Sequence, residues 1–207
     1  MMTQNHISWP DSVRWRAFLK FMGLFYLFFF PVYFGAGYIA AKTDDTFGLY
    51  WSWERDIPLI PWMIWPYLTL FSLFLLPLFH MSAWQISMLS RQSTATLVIT
   101  GLVFLLAPTH LGFPPVIVEG LHRPVFDFLA IVDTPHNLVP SLHVAFSALI
   151  LLGCAARTST HLAWSYRFWL LLLSVSTVLV HQHHVFDVVS GLTLALIMRR
   201  IFPLAPS

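Results

Sequence analysis

The chain has 207 residues, 57% of them hydrophobic and 10% charged, with a formal net charge of +2, whereas soluble domains average about 45–50% apolar and about 25% charged. This composition excludes a soluble enzyme and points to an integral membrane protein, and so small a net charge gives no footing for nucleic acid. The single cysteine, Cys154, lies in an apolar run without a partner, so no intramolecular disulfide and no cysteine-rich metal site is expected.

Residues 1–16 form a polar lead-in, with Trp9, Arg14, Trp15 and Arg16 at positions suited to a membrane interface. An apolar run over 17–41, interrupted by Pro31, is predicted as the first span; it is too long for a cleaved signal peptide and reads as an uncleaved anchor. An acidic, aromatic loop follows, carrying Asp44, Asp45, Glu54 and Asp56. The proline-studded run 57–79 is the second predicted span, and 94–110 the third. Between Pro108 and Pro140 the prolines at 114, 115, 124 and 135 preclude one continuous helix, and so long a connector between short-looped spans is more often functional than idle. The remaining spans are expected over 141–156, 164–180 and 185–202. There is no convincing internal repeat. The expected fold is therefore a single all-α domain of six transmembrane helices.

Six spans place both termini and the second and fourth loops on one side, which collects Arg14, Arg16, Lys20, Arg91, Arg157, Arg167, Arg199 and Arg200. The other side holds only Lys42, Arg55 and Arg123. The positive-inside rule makes the termini cytoplasmic. In a bacterial inner membrane the long third loop and the turn before the sixth span then face the periplasm.

Two segments on that outer face carry candidate chemistry. Ser176 to Asp187 sets His181, His183 and His184 beside an acid between two apolar runs, and ionisable groups at such a place usually mark function. If the helix begins at Val185, His183 and Asp187 are four residues apart on one face, where the carboxylate can orient the imidazole as a nucleophile or base. Pro140-Ser141-Leu142-His143 opens the fourth span, and a hydroxyl beside unpaired N–H groups there makes an anion cradle. Two histidines, an aspartate, hydroxyls and a helix N-terminus suit phosphoryl transfer, in which one imidazole attacks phosphorus and the other protonates the leaving oxygen.

These residues resemble the type 2 phosphatidic acid phosphatase superfamily and its relatives, the sphingomyelin and inositol phosphorylceramide synthases. The family's Pro-Ser-Gly-His motif reads Pro140-Ser141-Leu142-His143 here, and its Ser-Arg, five residues, His, three residues, Asp motif aligns with Ser176-Thr177, His183 and Asp187. Of its Lys, six residues, Arg-Pro motif only Arg123-Pro124 is present, with Val116 at the lysine position. Val116 and Thr177 thus remove two of the three phosphate-neutralising cations, and Leu142 in Ser-Leu-His-Val-Ala is closer to the synthase branch. The motifs cover about the C-terminal half of the chain, and the six-span layout extends the resemblance to the whole of it.

The resemblance implies a membrane-embedded lipid phosphatase or headgroup phosphotransferase acting on a phosphorylated lipid, with water, an alcohol or a lipid hydroxyl as acceptor and no cofactor or metal. It implies that His183 forms a phosphohistidine, that Asp187 orients it, that His143 protonates the leaving alcohol and then activates the acceptor, and that Arg123, Ser141, Ser176 and Thr177 hold the phosphate oxygens. Each residue also has a plainer reading. His183 with Asp187 caps the sixth span, Ser141 caps the fourth, Arg123 anchors a loop at the headgroups, His122 and His136 are ordinary loop residues, His181 and His184 tune their neighbours, and the tryptophans and tyrosines form interfacial belts. Two other functions remain open: a metalloenzyme using His181, His183 and His184 with His136 or His143, and a non-catalytic lipid-binding or proton-path protein.

Overall fold

The computed structural model describes residues 9–43 and 45–204; Asp44, one of the acids of the loop after the first expected span, lies outside the described residues. Among these the protein is helical throughout, and the one β interaction is an isolated parallel bridge between Phe47 and Thr109.

Helix α1 (Ser12–Ala40) starts where the Asp11 carboxylate accepts the Arg14 N–H at 2.8 Å, an N-cap that sets the start five residues before the expected one. At 29 residues it is about 43 Å long, enough to cross a bilayer core of about 30 Å even when tilted. The second predicted span is not one helix. Its prolines remove N–H donors, and the run folds as α2 (Ile64–Leu68), α3 (Leu70–Leu73) and α4 (Leu76–His80). The third expected span begins eleven residues too late, because α5 runs from Ala83 to Leu106. Ser82 and Gln85 form a reciprocal capping box at its start. Two of the polar residues that hid this first half are tied to the C-terminal segment: Gln85 and Gln92 donate side-chain N–H groups to the carbonyls of Leu204 and Phe202.

The long connector contains a helix, α6 (Arg123–Val132), which starts with Pro124 in its first turn. Helices α7 (Leu142–Ala155), α8 (Thr160–Leu179) and α9 (Val185–Ile201) fall within a few residues of expectation. By length and composition α1, α5 and α8 are membrane-spanning candidates. Helix α7 has 14 residues and lies at the centre, with nearly every side chain buried against α3, α4, α5, α8 and α9. Around it an outer belt of Leu27, Phe30, Leu102, Phe168, Leu171, Val189 and Leu196 stays exposed, the apolar surface that hydrocarbon would cover.

Glycines let two pairs of these helices approach closely. At Gly101 a Cβ would collide with Val32, fixing α5 against α1. At Gly191 a Cβ would lie 2.5 Å from the Ser141 carbonyl oxygen, so only glycine permits this approach of α9 to the start of α7.

Candidate active site

The C-terminal ends of α1, α5 and α8 and the N-terminal ends of α7 and α9 meet at one end of the bundle, and the connecting segments fold over them. After α8, His181 takes a left-handed conformation (φ 58°), which costs a non-glycine residue about 1–2 kcal/mol. The reversal lets Gln182 and His183 both donate backbone N–H groups to the Thr177 carbonyl at 3.0 Å, and presents His183 just before α9. His181 is retained by stacking on Phe113 (4.0 Å between centroids) and by donating its Nε2–H to the Ile57 carbonyl at 2.9 Å.

Asp187, in the first turn of α9, is 1% exposed and does two things. Its Oδ2 accepts the His184 backbone N–H at 2.8 Å, so it caps the helix, and it accepts from His183 Nδ1 at 3.2 Å, so it orients the imidazole. The capping and the catalytic readings of this pair are thus compatible. With its proton on Nδ1, His183 has a lone pair on Nε2, which no described residue engages. The His143 ring stands 5.9 Å from that of His183, centroid to centroid, at 61°. Both line a cavity of about 480 Å3. The register between them rests on backbone: the Ser141 N–H donates to the Asp187 carbonyl at 3.1 Å, beside the Gly191 contact.

The expected phosphate-holding residues are placed elsewhere. Ser141 is fully buried, with its Oγ accepting the Val144 N–H at 3.3 Å as the N-cap of α7. Ser176 and Thr177 donate their hydroxyls to the Leu173 and Ser174 carbonyls at 2.7 and 2.8 Å, turned into their own helix. Arg123 is 68% exposed and pairs with Asp127 at 3.5 Å; it does not line the cavity. The structure therefore brings His143, His183 and Asp187 together and leaves these four in supporting or surface positions.

Several residues at the site carry no motif. Glu54 is fully buried; its Oε1 accepts the Trp51 N–H at 3.0 Å, while Oε2 accepts the Val185 N–H at 2.8 Å and the His184 Nδ1–H at 3.1 Å. The tautomer of His184 follows from its other side, where Nε2 accepts the Gly112 N–H at 2.9 Å. Tyr50 and Phe113 stack on the two faces of His184 at 4.5 and 4.3 Å. His181 and His184 lie outside the spanning segments, and burial lowers the pKa of each below its ordinary value; for His184 the neighbouring Glu54 opposes that shift without reversing it. Tyr67, read from the sequence as part of an interfacial belt, is 1% exposed and stacks on His143 at 4.3 Å. Its hydroxyl and that of Tyr33 each donate to Asp133 at 2.9 Å. Gln182 also lines the cavity.

The plainer expectations describe other residues well. His136 exchanges contacts with Thr109 within the connector. Trp51, Trp53, Trp62, Trp65 and Trp84 are half exposed at the surface. Among the described residues no group of three His, Cys, Asp or Glu side chains converges as metal ligands, and both ring nitrogens of His184 are already engaged. No protein-family model, no curated protein and no solved structure matches this chain.

Proposed function

We propose that this protein is a membrane-embedded phosphoryl-transfer enzyme that acts on a phosphorylated lipid through a phosphohistidine. One observation carries the reading: a buried histidine, oriented by Asp187 through Nδ1 and unpartnered at Nε2, shares a cavity with a second histidine in a membrane protein. In the first step the His183 Nε2 lone pair attacks phosphorus, the bond to the leaving oxygen breaks, and protonated His143 gives that oxygen its proton. In the second, neutral His143 takes a proton from water or an alcohol, the acceptor oxygen attacks phosphorus, and the N–P bond breaks to restore His183. Asp187 stabilises the charge that develops on His183 in both steps.

With Arg123 on the surface, charge on the phosphoryl oxygens is met by the first-turn N–H groups of α7 and by Gln182. Such a site carries little positive charge, which favours a singly charged phosphodiester over a doubly charged monoester.

We read the layout as six crossings, with α2 to α4 forming the broken second one, α7 shielded within the bundle and α9 exposing one apolar face, and with the site on the face away from the cytoplasm of a bacterial inner membrane. The charge distribution supports this, since eight cations on one side oppose three on the other. A reporter fused after Ser207 is then cytoplasmic and a tag at Asp45 external; the reverse result would remove the topology.

The activity is tested with the purified full chain and a panel of lipid phosphates and phospholipids, with and without alcohol acceptors, separating free phosphate from new phosphodiester. His183→Ala is expected to abolish both products and the acid-labile phosphoenzyme. Turnover that persists in that variant would eliminate the phosphohistidine, and loss of activity on chelation would redirect the chemistry to a metal.

A further inference from the structure

The cavity contains a carboxylate that the transfer chemistry leaves unused. Asp133 follows α6 directly and lies on the cavity wall with Tyr33 and Tyr67, whose hydroxyls each donate to one of its oxygens at 2.9 Å. Each oxygen retains a further lone pair. No cation pairs with Asp133 among the described residues, and no lysine or arginine lines the cavity. The other carboxylate there, Asp127, is already paired with Arg123. The imidazoles on the wall, among them His143 with which Asp133 interacts electrostatically, carry a charge only transiently in the transfer, so this carboxylate on a largely apolar wall has no permanent counter-ion, and two neutral hydroxyl donors do not cancel its charge.

Tyr67 links this carboxylate to the reacting end, since its ring stacks on His143 while its hydroxyl reaches Asp133. A ligand whose phosphorus lies at His183 can therefore place a group a few atoms away against Asp133. We propose that Asp133, held by Tyr33 and Tyr67, is a headgroup subsite for a protonated primary amine, which makes the substrate a zwitterionic phosphodiester whose amine supplies the missing counter-ion. The phosphate end of this assignment rests on the phosphoryl-transfer reading; the amine end does not. A polyol headgroup could donate hydrogen bonds but would leave the charge of Asp133 uncompensated. A trimethylammonium group would compensate the charge but has no N–H for the open lone pairs.

The test uses the full chain in maltoside micelles, titrated calorimetrically at pH 7 with three water-soluble phosphodiesters: glycerophosphoethanolamine, glycerophosphocholine and glycerophosphoglycerol. The ethanolamine ester is expected to bind about tenfold or more tightly than either of the others, as a charge-assisted hydrogen bond implies. Asp133→Asn should erase that margin, while His183→Ala should keep it. Equal affinities in the wild type, no binding of the ethanolamine ester, or a preference that survives Asp133→Asn would overturn the assignment. If Asp133→Asn fails to fold, the wild-type ranking decides alone. An amine preference in a protein that turns over no lipid would remove the transfer chemistry and leave this subsite standing; turnover without the preference would do the reverse.

Discussion

Glu54→Gln probes the clamp that the motifs do not announce. The substitution keeps size and shape but replaces one carboxylate oxygen by NH2, and all three partners of Glu54 are donors: Trp51 N, Val185 N and His184 Nδ1. If the amide oxygen faces Val185 and His184, the NH2 group confronts the Trp51 N–H. The opposite orientation sets it against two donors. His184 cannot relieve the clash by moving its proton to Nε2, because that nitrogen accepts the Gly112 N–H. At least one charge-assisted bond is therefore replaced by a donor–donor contact in a site with no exposed surface, a loss of about 2–3 kcal/mol. For a chain of this size that lowers Tm by about 4–12 °C. Thermal unfolding in a fixed detergent measures it, and hydrogen exchange over residues 181–187 should rise in parallel, since the clamp holds the start of α9. A Glu54→Gln protein melting within about 1 °C of wild type, with unchanged exchange, would show that Glu54 does not fasten this turn.

Three further outcomes are expected. His143→Ala should lower kcat about 100-fold or more for lipids with aliphatic leaving groups and far less for a nitrophenyl ester, whose oxygen needs no proton; equal losses on both would deny His143 the role of acid. Arg123→Ala should change kcat/KM by no more than a few-fold, because an ion pair this exposed contributes about 0–1 kcal/mol, and a loss beyond tenfold would return Arg123 to the phosphate. Burial lowers the folded pKa of His181 and His184 below the unfolded value of 6.5. Their contribution to stability is thus complete above that pH and declines as the pH falls through the window beneath it, where the unfolded chain binds protons that the folded chain does not. A Tm that rises between pH 6.5 and 5.5 would contradict this.

The sequence carried the helical class and the positions of α7, α8 and α9, because their boundaries coincide with changes from apolar runs to polar or proline residues. It also carried the His183–Asp187 pair and the nearness of His143, since both lie beside helix starts at the same end of the bundle. It misplaced the start of α5, where Gln85, Arg91 and Gln92 look like a loop until the C-terminal segment that accepts the side-chain N–H groups of the two glutamines is in place. The hydroxyls of Ser141, Ser176 and Thr177 were equally legible as caps or as ligands; only the helix geometry shows them bonded to their own backbone. Glu54 and Asp133 could not be found from spacing. Glu54 meets His184 and Asp133 meets Tyr33 across 130 and 100 residues, and no local pattern encodes a contact at that separation.

The contact at Gly191 bears on how the protein tolerates its solvent. Lipids of different chain length press on the outer helices and change their tilt, and α1 and α5 take that load directly. The spacing of the two histidines depends instead on a backbone junction, where α9 rests on the Ser141 peptide and the Asp187 carbonyl receives its N–H. That junction has no side chain to repack or change rotamer under strain. It acts as a pivot between the backbones that carry the two histidines, a contact made by main-chain atoms alone.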